Sequence, residues 1–447
     1  MNLAAKRAMS ERGVIDWPSG VRPTDEFISV VDEAAEGGNL FVTGRAGTGK
    51  STLLRCLKRN LPQNTAVLAP TGLAAVNVQG QTIHSFFGFP PQLLNAEIIK
   101  RCRRASMYRG LETIIIDEVS MVRADLMQGI DMALRLTRKQ PDKPFGGVQI
   151  IAMGDLHQLS PVIRDHDTMR HFQDTFGGVY FFHAPVCHDA TVCLMELNEV
   201  FRQQDDAFID ALNGIREGDP SREQMEMLND RVTPFRSMPD NQDYTVLTPI
   251  NRTADSTNID FLNQLTGKAV QFNAIVTGKF DASAYPTDAS LQLKEGCKVV
   301  MLRNDPDKRW VNGTQARISR IDGSTVYVEI AGEEHELEPV TWENTGYEYD
   351  AETDELEQKV VGSFRQLPVR LAWALTIHKS QGMTLDKVYI DFGRGTFAHG
   401  QAYVALSRAR SLEGLALARN IRQSDIIFDP GALGYRSVFE HLGVGKR

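Results

Sequence analysis

Apolar residues return every three or four positions between Thr24 and Glu36, at Phe27, Val30, Val31 and Ala34. That spacing predicts an amphipathic helix, with Thr24 placed to cap its first turn. The pattern then changes. Short continuous apolar runs at 39–42, 65–69, 111–116 and 148–153 each lead into a loop of Gly, Pro, Thr or acidic residues. Strands buried on both faces read this way, and repeated strand–loop–helix units predict a parallel sheet covered by helices on each side. A different texture appears near Leu293–Asn304 and Trp310–Thr314. There Ala316–Ile330 alternates apolar and polar residues about Asp322-Gly323, which predicts a β-hairpin.

The loop after the first apolar run carries the most specific chemistry. Gly44-Arg45-Ala46-Gly47-Thr48-Gly49-Lys50-Ser51 has the form Gly-x-x-x-x-Gly-Lys-Ser between a strand and a helix that begins near Thr52. Glycines let the backbone wrap a phosphate closely, and the loop opens a helix N-terminus whose free N–H groups favour an anion. Lys50 would reach the β- and γ-phosphates, and the Ser51 hydroxyl would hold Mg²⁺. The strand at 111–116 ends in Asp117-Glu118, carboxylates suited to the metal shell and to polarising an attacking water. Gln158, in the loop after the strand at 148–153, is placed to sense a γ-phosphate.

Composition narrows the class without changing it. The chain has 447 residues, 42% hydrophobic and 24% charged, with a net charge of −8, the balance of a soluble globular protein of two or three domains. Met1–Arg12 is polar and mixed in charge, and no apolar run is long enough to span a bilayer, so an intracellular protein is expected: cytoplasmic in a bacterium or virus, nuclear or mitochondrial in a eukaryote. The five cysteines (Cys56, Cys102, Cys187, Cys193, Cys297) are scattered, and His183, Cys187, His188 and Cys193 fit no standard zinc spacing. Charge is unevenly placed. Between Lys50 and Gly110 nine Lys/Arg stand against one acid, Glu97, whereas Asp322 to Glu357 holds thirteen acids and no Lys or Arg. The first region suits a polyanion; the second suits a solvated hairpin edge or a protein partner. Thr71, Gly72, Thr82, His84, Ser85, Phe86 and Phe87 bring hydroxyls, an imidazole and rings beside the basic stretch, the equipment of a single-strand track.

Taken in order, these segments resemble superfamily 1 helicases, in the branch that holds RecD-like and petite-integration-frequency (PIF-type) DNA helicases. The resemblance rests on 44–51, 69–75, 82–87, 116–118, 154–161 and Leu197-Asn198-Glu199-Val200-Phe201-Arg202-Gln203, then on 375–384 and 400–410. Phe208 through Gly218, with Ile215-Arg216-Glu217-Gly218, also resembles the signature that separates the PIF-type family from RecD.

The resemblance implies an α/β fold of two RecA-like P-loop NTPase lobes. The first would occupy 1–190, with a small insertion at about 85–110; the second would take 191–275 and 362–447; an SH3-like β-barrel at 276–361 would be inserted in the second. It implies an ATP-dependent, 5′-to-3′ helicase or translocase on single-stranded DNA, acting on tailed duplex or structured DNA as a monomeric motor in replication, repair or recombination. Cofactors would be ATP and Mg²⁺, the metal held by Ser51 and Asp117. Lys50, Asp117, Glu118, Gln158, Arg202 and Arg408 would carry catalysis, the two arginines as fingers from the second lobe. Gly44, Ala46, Gly47, Thr48, Gly49, Lys50, Ser51, Thr52, Gln381 and Gly382 would hold the nucleotide. Pro70, Thr71, Gly72, Thr82, His84, Phe86, Thr248, Asn251, Thr376, His378 and Lys379 would contact DNA. One departure stands out: the family often places a Gln before the P-loop to read adenine, and the corresponding segment here is Thr24-Asp25-Glu26-Phe27.

Overall fold

A computed structural model describes residues 15–18, 20–100, 107–163, 165–203, 205–238, 241–350 and 355–441. Cys102 and three of the basic residues noted above, Arg101, Arg103 and Arg104, lie outside this set, as does part of the small insertion expected at 85–110.

The predicted first helix, α1, spans Asp25–Ala35; Phe27 N–H donates to Thr24 Oγ1 at 3.1 Å, and Phe27, Val30, Val31 and Ala34 are buried. Five strands follow in the first half of the chain: β1 (Asn39–Gly44), β2 (Thr65–Ala69), β3 (Gln81–Thr82), β4 (Thr113–Ile116) and β5 (Gln149–Gly154). The P-loop leads from β1 into α2 (Lys50–Asn60). A sixth strand, β6 (Val192–Leu197), lies beside β1 along its whole length, so the first sheet extends past the expected boundary at 190 and the chain leaves this lobe only after Leu197. All neighbours in the sheet run parallel, in the order β6-β1-β5-β4-β2-β3. Leu40, Phe41, Val42, Ile114, Ile115 and Ile116 are wholly buried, as strands covered on both faces must be.

The second lobe begins its sheet with β7 (Thr245–Thr248) and is then interrupted by ten antiparallel strands. These are β8 (Val270–Asn273), β9 (Ile275–Gly278), β10 (Ser290–Leu293), β11 (Lys298–Met301), β12 (Gln315–Asp322), β13 (Thr325–Ile330), β14 (Glu333–Leu337), β15 (Val340–Asp350), β16 (Glu355–Gln366) and β17 (Val369–Leu371). They form a five-stranded sheet β14-β13-β12-β11-β17, a three-stranded sheet β15-β16-β9 and the pair β10-β8. The predicted hairpin is present, with Asp322 opposite Thr325 and Gly323 at φ +60° in its turn. The all-β insertion thus runs from 270 to 371, wider at both ends than 276–361. Strands β18 (Ala374–Thr376), β19 (Val388–Ile390) and β20 (Leu415–Leu417) complete the parallel order β18-β7-β19-β20.

The chain then returns to the first lobe. β21 (Glu440–His441) pairs with β6 beyond its outer edge, and Tyr435 and Phe439 pack within 5.5 Å of the Phe41 ring, so the last residues are not second-lobe structure as expected for 362–447.

The acidic segment also finds a place. Strand β3 meets β2 only at Leu68 and Ala69, leaving the edge of β2 open beyond it. Tyr347 of β15 fills that opening: its hydroxyl accepts the Val67 N–H at 2.8 Å, and its ring meets Phe86 edge-on at 5.5 Å. Thr345 Oγ1 donates to Gly80 O (3.1 Å), and Gln358 Nε2 donates to Gln79 O (2.7 Å) while its Oε1 accepts from Lys58 Nζ (3.2 Å). At Thr345, Tyr347 and Gln358 strands β15 and β16 lie against the chain's own first lobe. Tyr347→Phe keeps the ring and strands the buried Val67 N–H, a loss of about 1–3 kcal/mol in urea unfolding. An unchanged midpoint and slope would mean that another group satisfies that N–H.

A candidate nucleotide site closed by two lobes

The P-loop is shaped by two left-handed glycines, Gly47 (φ +89°) and Gly49 (φ +83°). Gly47 is also needed for space, because a Cβ there would stand 2.6 Å from Cβ of Arg202. Ser51 is exposed in the first turn of α2, and Thr52 and Leu53 give their N–H groups to Gly49 O. Lys50 Nζ donates to Gly44 O (2.6 Å) and Arg45 O (3.0 Å), and Thr48 Oγ1 donates to Arg45 O (3.0 Å). Ala46, expected to hold the nucleotide, instead gives its N–H to the hydroxyl of Tyr403 at 2.9 Å, from the second-lobe helix Gln401–Leu406.

Two carboxylates stand where β4 ends. Asp117 follows the strand directly, and Glu118 adopts φ +50°, a conformation that costs a non-glycine residue on the order of 1–3 kcal/mol and aims its side chain across the lobe interface. There Gln381 Nε2 donates to Glu118 Oε2 (3.1 Å) and lies 3.5 Å from Gln158 Oε1. Burial, and then the charge of Asp117, pushes Glu118 up to about 7; burial pushes Asp117 up to about 6. Burial also draws the Lys50 ammonium down, against the pull of Asp155, Glu118 and Asp117. The hydroxyl of Ser51 and the carboxylate of Asp117 are hard oxygen donors of the kind Mg²⁺ takes.

The arginines arrive differently from expectation. Arg202 lies on the segment leaving β6, between the lobes rather than in the second one, and its Nη1 donates to Ser407 O at 3.1 Å. Arg408 is brought to the site but turned onto second-lobe backbone: Nε donates to Val404 O, Nη1 to Ser380 O and Met383 O of the loop after β18, and Nη2 to Ser407 Oγ. Burial and the neighbouring Arg202 bring its guanidinium down to about 9. Gly382 accepts from Arg202 Nη2 at 3.5 Å.

Sequence reasoning missed the ion pair beneath these groups. Asp155, at the end of β5, pairs with Arg216 of the second-lobe helix Asp206–Glu217 at 3.1 Å, the side chains 0% and 2% exposed. The same carboxylate accepts from His157 N (3.1 Å) and from Gln158 Nε2 (3.3 Å), so it orients the glutamine that meets Gln381. Burial alone would raise Asp155, but Arg216 and Lys50 hold it far below the usual carboxylate range. One signal was available: Arg216 shares a helix face with Phe208, Ala211, Leu212 and Ile215, an odd place for a charge without a buried partner.

The expected DNA contacts divide. Thr71 and Thr82 cap short helices, accepting from Ala74 N (3.3 Å) and Ser85 N (3.2 Å). Pro70 and His84 are half-buried, and Gly72 is so close to the insertion that a Cβ would meet Cβ of Ala284 at 2.5 Å. Phe86 offers no face to a base: it is 0% exposed, packed among Phe87, Tyr108 and Tyr347, because its helix turns inward from the Thr82 cap. In the second lobe Thr248 and Thr376 are buried at the ends of β7 and β18, His378 and Lys379 are half-buried, and Asn251 is exposed. Both sets follow the carboxyl ends of parallel strands, where open α/β sheets bind ligands.

A family profile described as PIF1-like helicase matches residues 24–226, and a second, described as helicase, matches 360–425. The ATP-dependent DNA helicase Pif1 of Bdellovibrio bacteriovorus is 34% identical over 429 residues, covering 93% of this chain and 92% of that protein. The chain belongs to the PIF1-like helicase family. Mammalian relatives are longer, and the chain spans 59–62% of the rat, human and mouse PIF1 proteins. Among solved structures, Bacteroides sp. Pif1 in complex with ADP-AlF4 has a TM-score of 0.86 at 33% identity, covering 93% of this chain and 97% of that one. Bacteroides Pif1 bound to ssDNA scores 0.66 at 34% identity, with the same coverage.

The buried pair makes a sharp prediction for this PIF1-like chain. Arg216→Met leaves Asp155 uncompensated and costs about 3–5 kcal/mol in urea unfolding. Adding Asp155→Asn, a neutral acceptor, recovers at least half of that loss. A double-mutant loss equal to the sum of the two single losses would show that the pair is not coupled.

Proposed function

We propose that the chain is an ATP-driven motor that moves 5′ to 3′ on single-stranded DNA and opens duplex or other folded DNA, G-quadruplexes included. The observation that carries this reading is the bridge from Glu118 through Gln381 to Gln158, in which a first-lobe carboxylate and sensor meet a second-lobe side chain. The family relationship supports it, as does the binding of ADP-AlF4 and ssDNA by the Bacteroides relative.

Lys50 leaves the loop carbonyls for the β- and γ-phosphates, and the amides from Gly47 to Thr52 cradle them. Mg²⁺, held by Ser51 and Asp117, would neutralise charge on the phosphate oxygens. Glu118 accepts a proton from the attacking water, with Gln381 and Gln158 fixing its direction. Arg202 and Arg408 exchange loop carbonyls for the charge that spreads over the transferring phosphoryl group. After transfer those contacts weaken and the lobes part, which displaces the strand held at the carboxyl ends of the two sheets. Hydroxyls and amides at Thr71, Gly72, Thr82, Thr248, Asn251 and Thr376, with His84, His378 and Lys379, hold its phosphates.

For the strand to reach Gly72, Ala284 must withdraw. The lower likeness to the ssDNA-bound relative, 0.66 against 0.86 at the same 93% coverage, supports a different placement of parts with DNA. The five-stranded sheet of the insertion is read as an SH3-like barrel, supported by its consecutive antiparallel pairing from β11 to β14 and the return of β17. No helix among the described residues is long and apolar enough to cross a membrane.

Steady-state ATPase with and without oligo-dT tests the motor. Wild type rises at least about tenfold with DNA, and Glu118→Gln loses about 10²–10⁴-fold, the usual worth of a general base. Duplexes with a 5′ tail are opened and those with a 3′ tail are not. ATPase equally fast without DNA would contradict the motor, and opening from 3′ tails would contradict its direction.

A further inference from the structure

Tyr403 reaches the P-loop from the second-lobe helix Gln401–Leu406. Its hydroxyl accepts the Ala46 N–H at 2.9 Å. A phenol has one proton to donate besides the lone pairs with which it accepts, and among the described residues no acceptor takes that proton. The surroundings are charged, with three arginines set against the Asp155 carboxylate. Arg202, Arg216 and Arg408 are all near enough to feel the phenol electrostatically, and Lys50 starts the helix at the end of the same loop. That is a setting for an oxyanion.

The phenol is also held in place. Its helix starts at Gly400, φ +74°, pressed so closely on the first lobe that a Cβ there would meet His157 O and Gln158 O at 2.5 Å. Just beyond the helix, Ser407 O accepts from both Arg202 and Gln203. Burial, reinforced by Asp155, pushes the phenol up to about 12, so it keeps its proton across the neutral range.

We propose that the Tyr403 hydroxyl reads the γ-phosphate as it transfers: it accepts from Ala46 N–H and donates its own proton to the γ-phosphate oxygen on which charge builds, seating the second lobe over the transferring group and not over ADP. This rests on the nucleotide-site reading above and adds a substrate contact to it. The competing role is a strut, a buried tyrosine whose hydroxyl merely satisfies the Ala46 amide.

Tyr403→Phe separates the two, because the ring and its packing remain. The expected result is a fall of about 10²- to 10³-fold in DNA-stimulated kcat, the range for loss of one donor to developing charge, with KM for ATP within about threefold. Affinity for ADP stays within about twofold, while affinity for ADP with aluminium fluoride falls by the same factor as kcat. In the otherwise unaltered protein, 3-fluorotyrosine at position 403 shifts its fluorine resonance with ADP and aluminium fluoride but not with ADP alone. Equal losses for both ligands, an unchanged kcat, or the same resonance in both states would overturn the proposal. The binding comparison needs no DNA, so a wild type lacking DNA stimulation would count against the motor and leave this test standing.

Discussion

A carboxylate without solvent has to be neutralised, and the ion-pair partner of Asp155 comes from the other lobe. Asp155 sits at the end of β5, wholly buried, and its counter-charge comes from Arg216 on the second-lobe helix. A buried pair of this kind is a weak source of net stability but a strict condition on geometry, because separating it exposes two uncompensated charges to a poorly polarisable interior. The two lobes therefore have a preferred seating. Gln158 is oriented by the same carboxylate, Gln381 by Gln158 and Glu118, and Gly400 by the backbone of His157 and Gln158. His399 adds a neutral tie: its Nδ1 accepts from Asp429 N, which leaves Nε2–H to donate to Leu156 O.

Around that seating the chain is stitched in ways that a simple order of domains would not suggest. It leaves the first lobe after β6 and comes back to it at β21. The insertion, carried by the second lobe, plants Tyr347 in the core of the first. Its strand β16 passes the C-terminal turn of α2, where Lys58 meets Gln358.

Much of this was legible from residue patterns because local physics was strong enough to decide it. Continuous apolar runs became parallel strands, the Thr24 cap and Asp322-Gly323 turn formed where their chemistry placed them, and the phosphate loop joined β1 to α2. What failed depended on contacts between distant segments. Phe86 looks like a stacking ring beside threonines and a histidine, yet Tyr108 and Tyr347, from elsewhere in the chain, enclose it. Ala46 belongs to a phosphate-binding motif, but its N–H is claimed by a tyrosine 357 residues away. Arg202 follows an apolar strand, and nothing in its neighbourhood says which sheet that strand joins. Asp155 and Arg216 were both visible, in separate segments, with only the apolar face around Arg216 to hint at a partner.

The central claim is that the hydrolytic carboxylate belongs to one lobe and its orientation to the other. Gln381→Ala tests it most directly, since it removes only the side chain that spans from Glu118 to Gln158. The measurement is single-turnover ATP hydrolysis at saturating nucleotide and DNA, with ADP affinity and thermal stability followed alongside. The account predicts a rate at least about tenfold slower, consistent with misdirection of a general base worth about 10²–10⁴-fold, while ADP affinity and stability stay at wild-type values. A wild-type single-turnover rate would mean that Glu118 needs nothing from the second lobe, and the account would be wrong.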